Sequence, residues 1–431
     1  MDKTKLKVLV VTQYFWPENM RINDLVADFV GRGHEVTILT GCPNYPEGRV
    51  FSDFKENPAS YSRYLGASVI RVPMLPRGLR SIQLALNYLS FFMSASFFGA
   101  FRLRRKKFDV VFVYAVSPIM AAIPAIVIGR LKRAPVFVWV LDLWPETLRA
   151  VGVLKSDRAL SIVGRVVSWI YNRTDYILVQ SKAFMDNVAK YCTKTIPEDR
   201  VIYFPSWAED DFSNNESASS TLLERDDSVF TLLFAGNVGE AQDFPSILDA
   251  AERLRQDFPS ILDAAERLRQ DVPMRWVIVG DGRASAWLKA EVAARGLDNV
   301  LLLGRHPLEE MPPLFALADA LFVSLKTNEV FEKTIPGKVQ AYLASGKPVI
   351  AMIDGEASRV ISEAGAGYAC ASGDVEALVD IIRRAAALTG EQREGLGRAG
   401  REYYECNFSK RTLLSRLEGL FIDARLRRDE K

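Results

Sequence analysis

Short apolar runs rich in β-branched residues alternate with amphipathic stretches from one end of this 431-residue chain to the other. That alternation restricts the fold more than any other feature, because it is the pattern of parallel sheets whose strands are joined by helical crossovers. The expected strands are residues 7–12, 35–40, 68–72, 110–114, 136–141, 176–180 and 201–203 in the first half. In the second half they are 231–235, 275–279, 300–303, 320–323, 348–351 and 367–369. Between the halves, residues 206–228 read SWAEDDFSNNESASSTLLERDDS, a polar, acidic, Ser- and Asn-rich stretch that marks a linker. The expected architecture is two doubly wound α/β domains, residues 1–205 and 229–405, facing each other across a cleft. Ligands of such sheets sit at the carboxyl ends of the strands.

Composition narrows the function classes. A chain of this length can bury two cores of ordinary size, and 49% hydrophobic with 25% charged residues is the make-up of a soluble globular protein. A net charge of +2 lends no support to general nucleic-acid binding. Cys42, Cys192, Cys370 and Cys406 are far apart without CxxC spacing, which fits a reducing compartment and argues against a disulfide scaffold or a structural zinc site. With His34 and His306 as the only histidines, a His-based metal site or a Ser-His-Asp triad has little support, and His34 reads as a turn residue. The opening MDKTKLKVLVV places lysines before a short β-type run without a small-residue cleavage site, so it reads as a first strand rather than a leader.

One repeat interrupts the pattern. DFPSILDAAERLRQ occupies residues 243–256 and recurs unchanged at 257–270. Fourteen residues advance a helix by nearly four turns, so one continuous helix would keep its apolar face aligned. Pro259 argues against that, since an interior proline removes a hydrogen bond and clashes with the preceding turn. Asp257 as N-cap with Pro259 in the first turn suits a fresh start. The expectation is one copy packed on the sheet and one protruding; a duplication without function is the plainer reading.

The chemistry-bearing segments lie at expected strand ends. Residues 331–351, FEKTIPGKVQAYLASGKPVIA, carry Glu332 and Lys333 in a loop, then Pro336, Gly337 and Lys338 leading into a short helix that includes Gln340. Free N–H groups and the dipole at a helix start favour an anion, and the lysines add positive charge. An ordinary loop-helix-strand unit is the alternative. Gly236, Asn237, Gly239 and Gln242 follow one strand and Gly280 and Gly282 close the next, where glycine lets backbone approach a ligand closely. Three such segments in order in one sheet suggest a nucleoside diphosphate site. After the first strand comes QYFWPENMRIN, residues 13–23, with no GxGxxG, so dinucleotide binding loses its main support. Arg21 there could pair with a phosphate or be a solvated helix residue. Asp142, in DLWPE at the end of a long apolar run, could orient or deprotonate a substrate hydroxyl, or cap a helix.

Six segments together carry a family likeness: FWPENMRIND, RGHEVTILTGCPNYPEG, DLWPE, FAGNVGEAQ, VGDG and IPGKVQAYLASGKP. On them the chain resembles the retaining glycosyltransferases of family 4, which have the GT-B fold of two Rossmann-like domains. More narrowly, it is similar to the branch that transfers N-acetylated amino sugars, such as N-acetylfucosamine, in bacterial surface polysaccharide (O-antigen or capsule) synthesis. The resemblance implies a UDP-sugar donor and a polyprenyl-diphosphate-linked saccharide acceptor; neither metal nor cofactor is expected, since lysines and helix N-termini would take a metal's place. It implies catalytic roles for Lys338, Glu332 and Asp142. The donor side would comprise Gly236, Asn237, Gly239, Gln242, Gly280, Gly282, Arg305, Lys333, Gln340 and Arg21, and the acceptor side Pro17, Glu18 and Glu146. A last helix at 409–425 would pack back on the first domain. The chain departs from the wider family in having Gln340 where a second glutamate is usual, and Asn237 with the GEAQ loop where Arg and Lys are usual. Phosphate neutralisation then rests on Lys338, Lys333 and Arg21.

Residues 77–107, RGLRSIQLALNYLSFFMSASFFGAFRLRRKK, are dense in Leu, Phe and Met and end in Arg102, Arg104, Arg105, Lys106 and Lys107. The segment reads as a buried helix with a basic loop, or as a helix that docks on an anionic leaflet. The implied lipid-linked acceptor favours the second, and with it a cytoplasmic protein peripheral on the inner face of the cell membrane. Two other classes stay open: a sugar-nucleotide epimerase of similar fold, and a non-catalytic nucleotide-sugar-binding partner of a polysaccharide assembly.

Overall fold

The computed structural model describes residues 5–78, 81–150, 152–193, 199–209, 212, 220–256 and 273–429. The chain divides into two compact units, Met1–Pro205 with Leu414–Lys431, and Ser206–Leu413.

The first unit is built on eight strands: β1 (Lys7–Val11), β2 (Glu35–Thr40), β3 (Arg63–Tyr64), β4 (Ala67–Arg71), β5 (Val110–Ala115), β6 (Val136–Val140), β7 (Tyr176–Val179) and β8 (Val201–Tyr203). Their order is β3-β4-β2-β1-β5-β6-β7-β8, parallel throughout except for the β3–β4 pair. Every residue of β5 and β6 is buried, which is why each is an unbroken apolar run rather than an alternating one. The order reverses between β1 and β5, so the ligand crevice of this sheet lies beyond their carboxyl ends.

Helix Lys410–Asp429 closes the unit from the other end of the sequence. Phe421 sits between Phe29, Phe112 and Phe137, with ring centroids 5.6, 5.7 and 4.9 Å away. His34, nearly fully buried, accepts from the Leu6 N–H at Nδ1, so its Nε2 carries the proton that faces Glu418 at 2.9 Å. Burial pushes the Glu418 carboxyl up, but its bonds to Arg32 and His34 outweigh this and hold it below the usual range.

The second unit has six parallel strands: β9 (Phe230–Ala235), β10 (Met274–Val279), β11 (Val300–Gly304), β12 (Ala320–Ser324), β13 (Val349–Met352) and β14 (Gly367–Cys370). Their order is β11-β10-β9-β12-β13-β14, with the reversal between β9 and β12. Each strand expected from the apolar runs is present, with ends within one residue. The one addition is β3, a two-residue arm without an apolar run to announce it. The first copy of the repeat forms helix Phe244–Gln256 and buries Phe244, Ile247, Leu248, Ala251 and Leu254 against the sheet. The second copy, 257–270, lies outside the described residues.

Candidate functional site

In the second unit three strand-end loops meet so closely that only glycine fits. A Cβ on Gly280 would lie 1.8 Å from the Gly236 carbonyl oxygen, and one on Gly282 would lie 2.2 Å from that of Val238. Gly236 itself adopts φ +137°, and a Cβ there would come within 2.4 Å of Lys338 Cε. The loops are cross-tied by the Gly236 N–H to Val279 O and the Val238 N–H to Asp281 O, at 2.8 and 3.0 Å. Gln242 Oε1 accepts from the Gly239 N–H at 3.1 Å and from Asn237 Nδ2 at 3.3 Å, fixing the Asn237–Gln242 loop.

Helix Gly337–Ser345 starts beside these loops with Pro336 as N-cap and no side-chain cap on its first turn. Its placement is set by Tyr342, whose buried hydroxyl accepts from the Ala235 N–H at the end of β9. One turn earlier on the same face, Lys338 brings its amine to 3.6 Å from the centre of the Phe234 ring. Among the described residues Lys338 has no ion pair and no hydrogen bond, and burial alone pushes its ammonium down to about 7. A desolvated amine without a counter-charge is costly unless a ligand supplies one. Gln340 is fully buried, and its Oε1 has no hydrogen-bond partner among the described residues.

The neighbouring charges behave differently. Glu332 is half-buried in the turn before the helix; its backbone carbonyl accepts from the Glu356 N–H at 2.7 Å, and its carboxylate has no partner among the described residues. Lys333 is already paired, with Glu329 at 2.9 Å. Arg305 is exposed near Asp281, whose carboxyl is held low chiefly by Ser285 and the Gly282 N–H, with a smaller contribution from Arg305. Lys347, at the far end of the same helix segment, gives its protons to the carbonyls of Ala316 and Ala318, which makes it a structural lysine.

In the first unit the polar strand-end residues are turned inward. Glu18 is 3% exposed, and its two oxygens accept from the N–H groups of Phe15, Asn44 and Tyr45 at 2.7–2.9 Å. Burial raises its carboxyl even though those three bonds pull the other way. The residue buckles the loop after β1, which contains Pro17, to the loop after β2. Glu146 accepts from the Tyr191 hydroxyl at 2.8 Å, while its Oε2 is buried without a partner among the described residues. Arg21 opens helix Arg21–Gly31 and reaches Asp24 at 3.8 Å.

Asp142 sits at the carboxyl end of β6. Burial raises its carboxyl above the usual range, only partly countered by bonds from Thr147 and from the Trp144 indole N–H. A small cavity lined by Thr12, Gln13, Tyr14, Ser117 and Tyr114 occupies the β1/β5 reversal point. Helix residues Asn87 and Tyr88 reach this region: Asn87 accepts from Gln13 Nε2 at 2.7 Å, and the Tyr88 ring lies 6.1 Å from Trp144. No spacing in the sequence pointed to Asn87, Tyr88 or Tyr342, because their partners lie far along the chain.

Residues 19–207 match the family described as "Glycosyl transferase 4-like domain", and residues 221–403 match "Glycosyl transferases group 1". The chain carries the two domains of a glycosyltransferase. It is 25% identical over 429 residues to the putative colanic acid biosynthesis glycosyl transferase WcaI of Escherichia coli (strain K12), covering 95% of this chain and 98% of that protein. Over 344 residues it is 26% identical to the probable glycosyltransferase WbjE of Pseudomonas aeruginosa, 78% of this chain and 80% of that one. Among solved structures, Anabaena Alr3699/HepE in complex with UDP superposes with a TM-score of 0.67 at 13% identity, over 97% of this chain and 100% of that chain. WaaG, a glycosyltransferase involved in lipopolysaccharide biosynthesis, gives 0.60 at 14% identity, over 96% and 99%. At such identities the likeness speaks to the fold, which is GT-B.

Proposed function

We propose that this glycosyltransferase moves an N-acetylated deoxyamino sugar from a UDP-sugar to a polyprenyl-diphosphate-linked saccharide in bacterial surface polysaccharide synthesis. The anomeric configuration is retained, and neither metal nor cofactor takes part. The observation that carries the reading is Lys338, an amine without a counter-charge among the described residues, set against glycine-closed strand ends and an uncapped helix start. That arrangement suits a diphosphate: a bound leaving group supplies the missing charge and is stabilised as it departs. In the reaction the bond from sugar C1 to the diphosphate oxygen breaks, and the acceptor hydroxyl forms the new bond at C1. Its proton leaves with the diphosphate. Glu332 holds the donor sugar or ribose, and Gln340 offers its free oxygen to a ribose hydroxyl.

The first unit receives the acceptor, with Asp142 contacting its hydroxyl, and the protein works from the cytoplasmic face as a peripheral membrane enzyme. The colanic acid biosynthesis in the name of WcaI supports a surface-polysaccharide product, and the UDP held by HepE supports a UDP-sugar donor. The test is a panel of UDP-sugars incubated with and without lipid-linked acceptors, followed by mass analysis of the lipid. A mass gain of one N-acetylated sugar, only when both substrates are present, is expected. Turnover of UDP-sugar alone into an epimer would replace this reading with the epimerase. Donor binding without transfer to any acceptor would favour the non-catalytic partner.

A further inference from the structure

We propose that helix Ile82–Arg102 is a docking face for an anionic lipid bilayer, lying in the plane of the headgroups rather than across the membrane. Ile82, Leu86, Leu89, Met93, Phe97 and Phe101 recur every three or four residues and therefore share one side of the helix. All are exposed, Ile82 to 75%, Phe97 to 73% and Phe101 to 61%. A soluble surface does not leave a continuous stripe of large apolar side chains uncovered without a partner for it.

Charge selects that partner. Residues 77–107 contain seven Lys and Arg and no Asp or Glu, against a net +2 for the whole chain. Four of these, Arg102, Arg104, Arg105 and Lys107, stand exposed at the end of the stripe. Lys132 Nζ bonds the Arg104 carbonyl at 2.8 Å and brings the end of helix Ala122–Lys132, with exposed Leu131, alongside. A second copy of this chain would set these cations against their equivalents, which repels. An anionic bilayer offers an apolar interior for the stripe and negative headgroups for the basic end.

The helix is long enough to span, but its other side is fastened to the sheet. Asn87 is fully buried, takes a hydrogen bond from Gln13 and gives one to the Leu75 carbonyl at 2.5 Å. Phe91 and Ala95 are fully buried, and a Cβ on Gly99 would lie 2.7 Å from Leu39. A spanning helix would have to abandon all of these contacts. Insertion is therefore flat and shallow, on the order of 5–10 Å into the headgroup boundary. The fastened side also carries Tyr88 to the Trp144–Asp142 cluster. Resting on the proposed acceptor, this gives the lipid carrier a path from the same bilayer to that cluster.

The test is flotation of the full chain, without substrates, on vesicles of phosphatidylcholine alone or mixed with phosphatidylglycerol. Wild type should float with the mixed vesicles and less well in high salt. Replacing Arg104, Arg105 and Lys107 by Gln leaves the helix-to-sheet packing intact and should weaken partition about a hundredfold, at about 1 kcal/mol per cation. Phe97→Ser with Phe101→Ser should also lose flotation while circular dichroism stays unchanged. Wild type remaining unbound on mixed vesicles, equal flotation on both vesicle types, or undiminished flotation of the variants would each overturn the proposal. So would a lipid-free wild-type dimer that the Phe97/Phe101 variant dissolves. UDP calorimetry separates the two ideas: failure of wild type to bind UDP would remove the functional reading and leave flotation untouched.

Discussion

The two units treat their strand-end charges in opposite ways. In the first unit Glu18 is claimed by three backbone N–H groups, Asp142 by Thr147 and Trp144, and one Glu146 oxygen by Tyr191. In the second, the backbone loops are closed by their glycines, yet Lys338, the Glu332 carboxylate and Gln340 Oε1 are left without partners among the described residues. A protein-satisfied charge holds its own loop in place. A charge kept desolvated and unsatisfied holds a place for something else. The contrast between Lys338 and Lys347 makes the same point within one segment, since both are pushed down by burial but only Lys347 has carbonyls to bond.

The sharpest way to break this comparison is to remove one residue of each kind. Lys338→Ala should lower turnover a hundredfold or more, the scale of one lost oxyanion-type contact, with the melting temperature unchanged or raised. Near-normal turnover would end the leaving-group role. Glu18→Ala should do the reverse. It leaves the N–H groups of Phe15, Asn44 and half-buried Tyr45 without acceptors, at about 1–3 kcal/mol for each buried one, so several degrees of thermal stability should go while UDP affinity stays the same. A Glu18 variant that melts like wild type but loses acceptor turnover would return that residue to the acceptor site.

The sequence revealed the strands and the glycine loops but not this division of labour. Fully buried parallel strands are unbroken apolar runs, and positions where any Cβ would collide must be glycine, so both are written locally. Whether a carboxylate is occupied depends on distant backbone. Glu18 is met by N–H groups 26 and 27 residues away, in a loop that carries no mark of that role. The helix at 82–102 shows the same limit. Its Leu, Phe and Met residues surround it, and only packing distinguishes buried Phe91 from exposed Phe97.

The Lys338 ammonium gives the comparison a pH signature. Its value falls from an ordinary 10.5 to about 7 in the folded chain. Between those values the unfolded chain holds a proton that the folded chain has lost, so stability contributed by this group rises with pH through that window. Donor binding runs the other way. A diphosphate requires the protonated amine, so above about pH 7 UDP affinity should fall by up to tenfold per pH unit. Calorimetry at three pH values checks both signs, since Lys338→Met should flatten the affinity slope and remove the stability gain. An affinity slope that survives in the variant would assign the titration to another group.

The smallest expected effect separates the site from its scaffold most finely. Gln340 is buried with an oxygen that bonds nothing among the described residues, so Gln340→Leu removes an unmet desolvation cost while keeping similar bulk. If that oxygen is kept for a ribose hydroxyl, the variant should melt at or above the wild-type temperature. It should also bind UDP about fivefold more weakly, the scale of one net hydrogen bond. The opposing signs are the point. A residue that merely packs would lose stability and leave affinity alone, and that outcome would move Gln340 into the scaffold with Lys347.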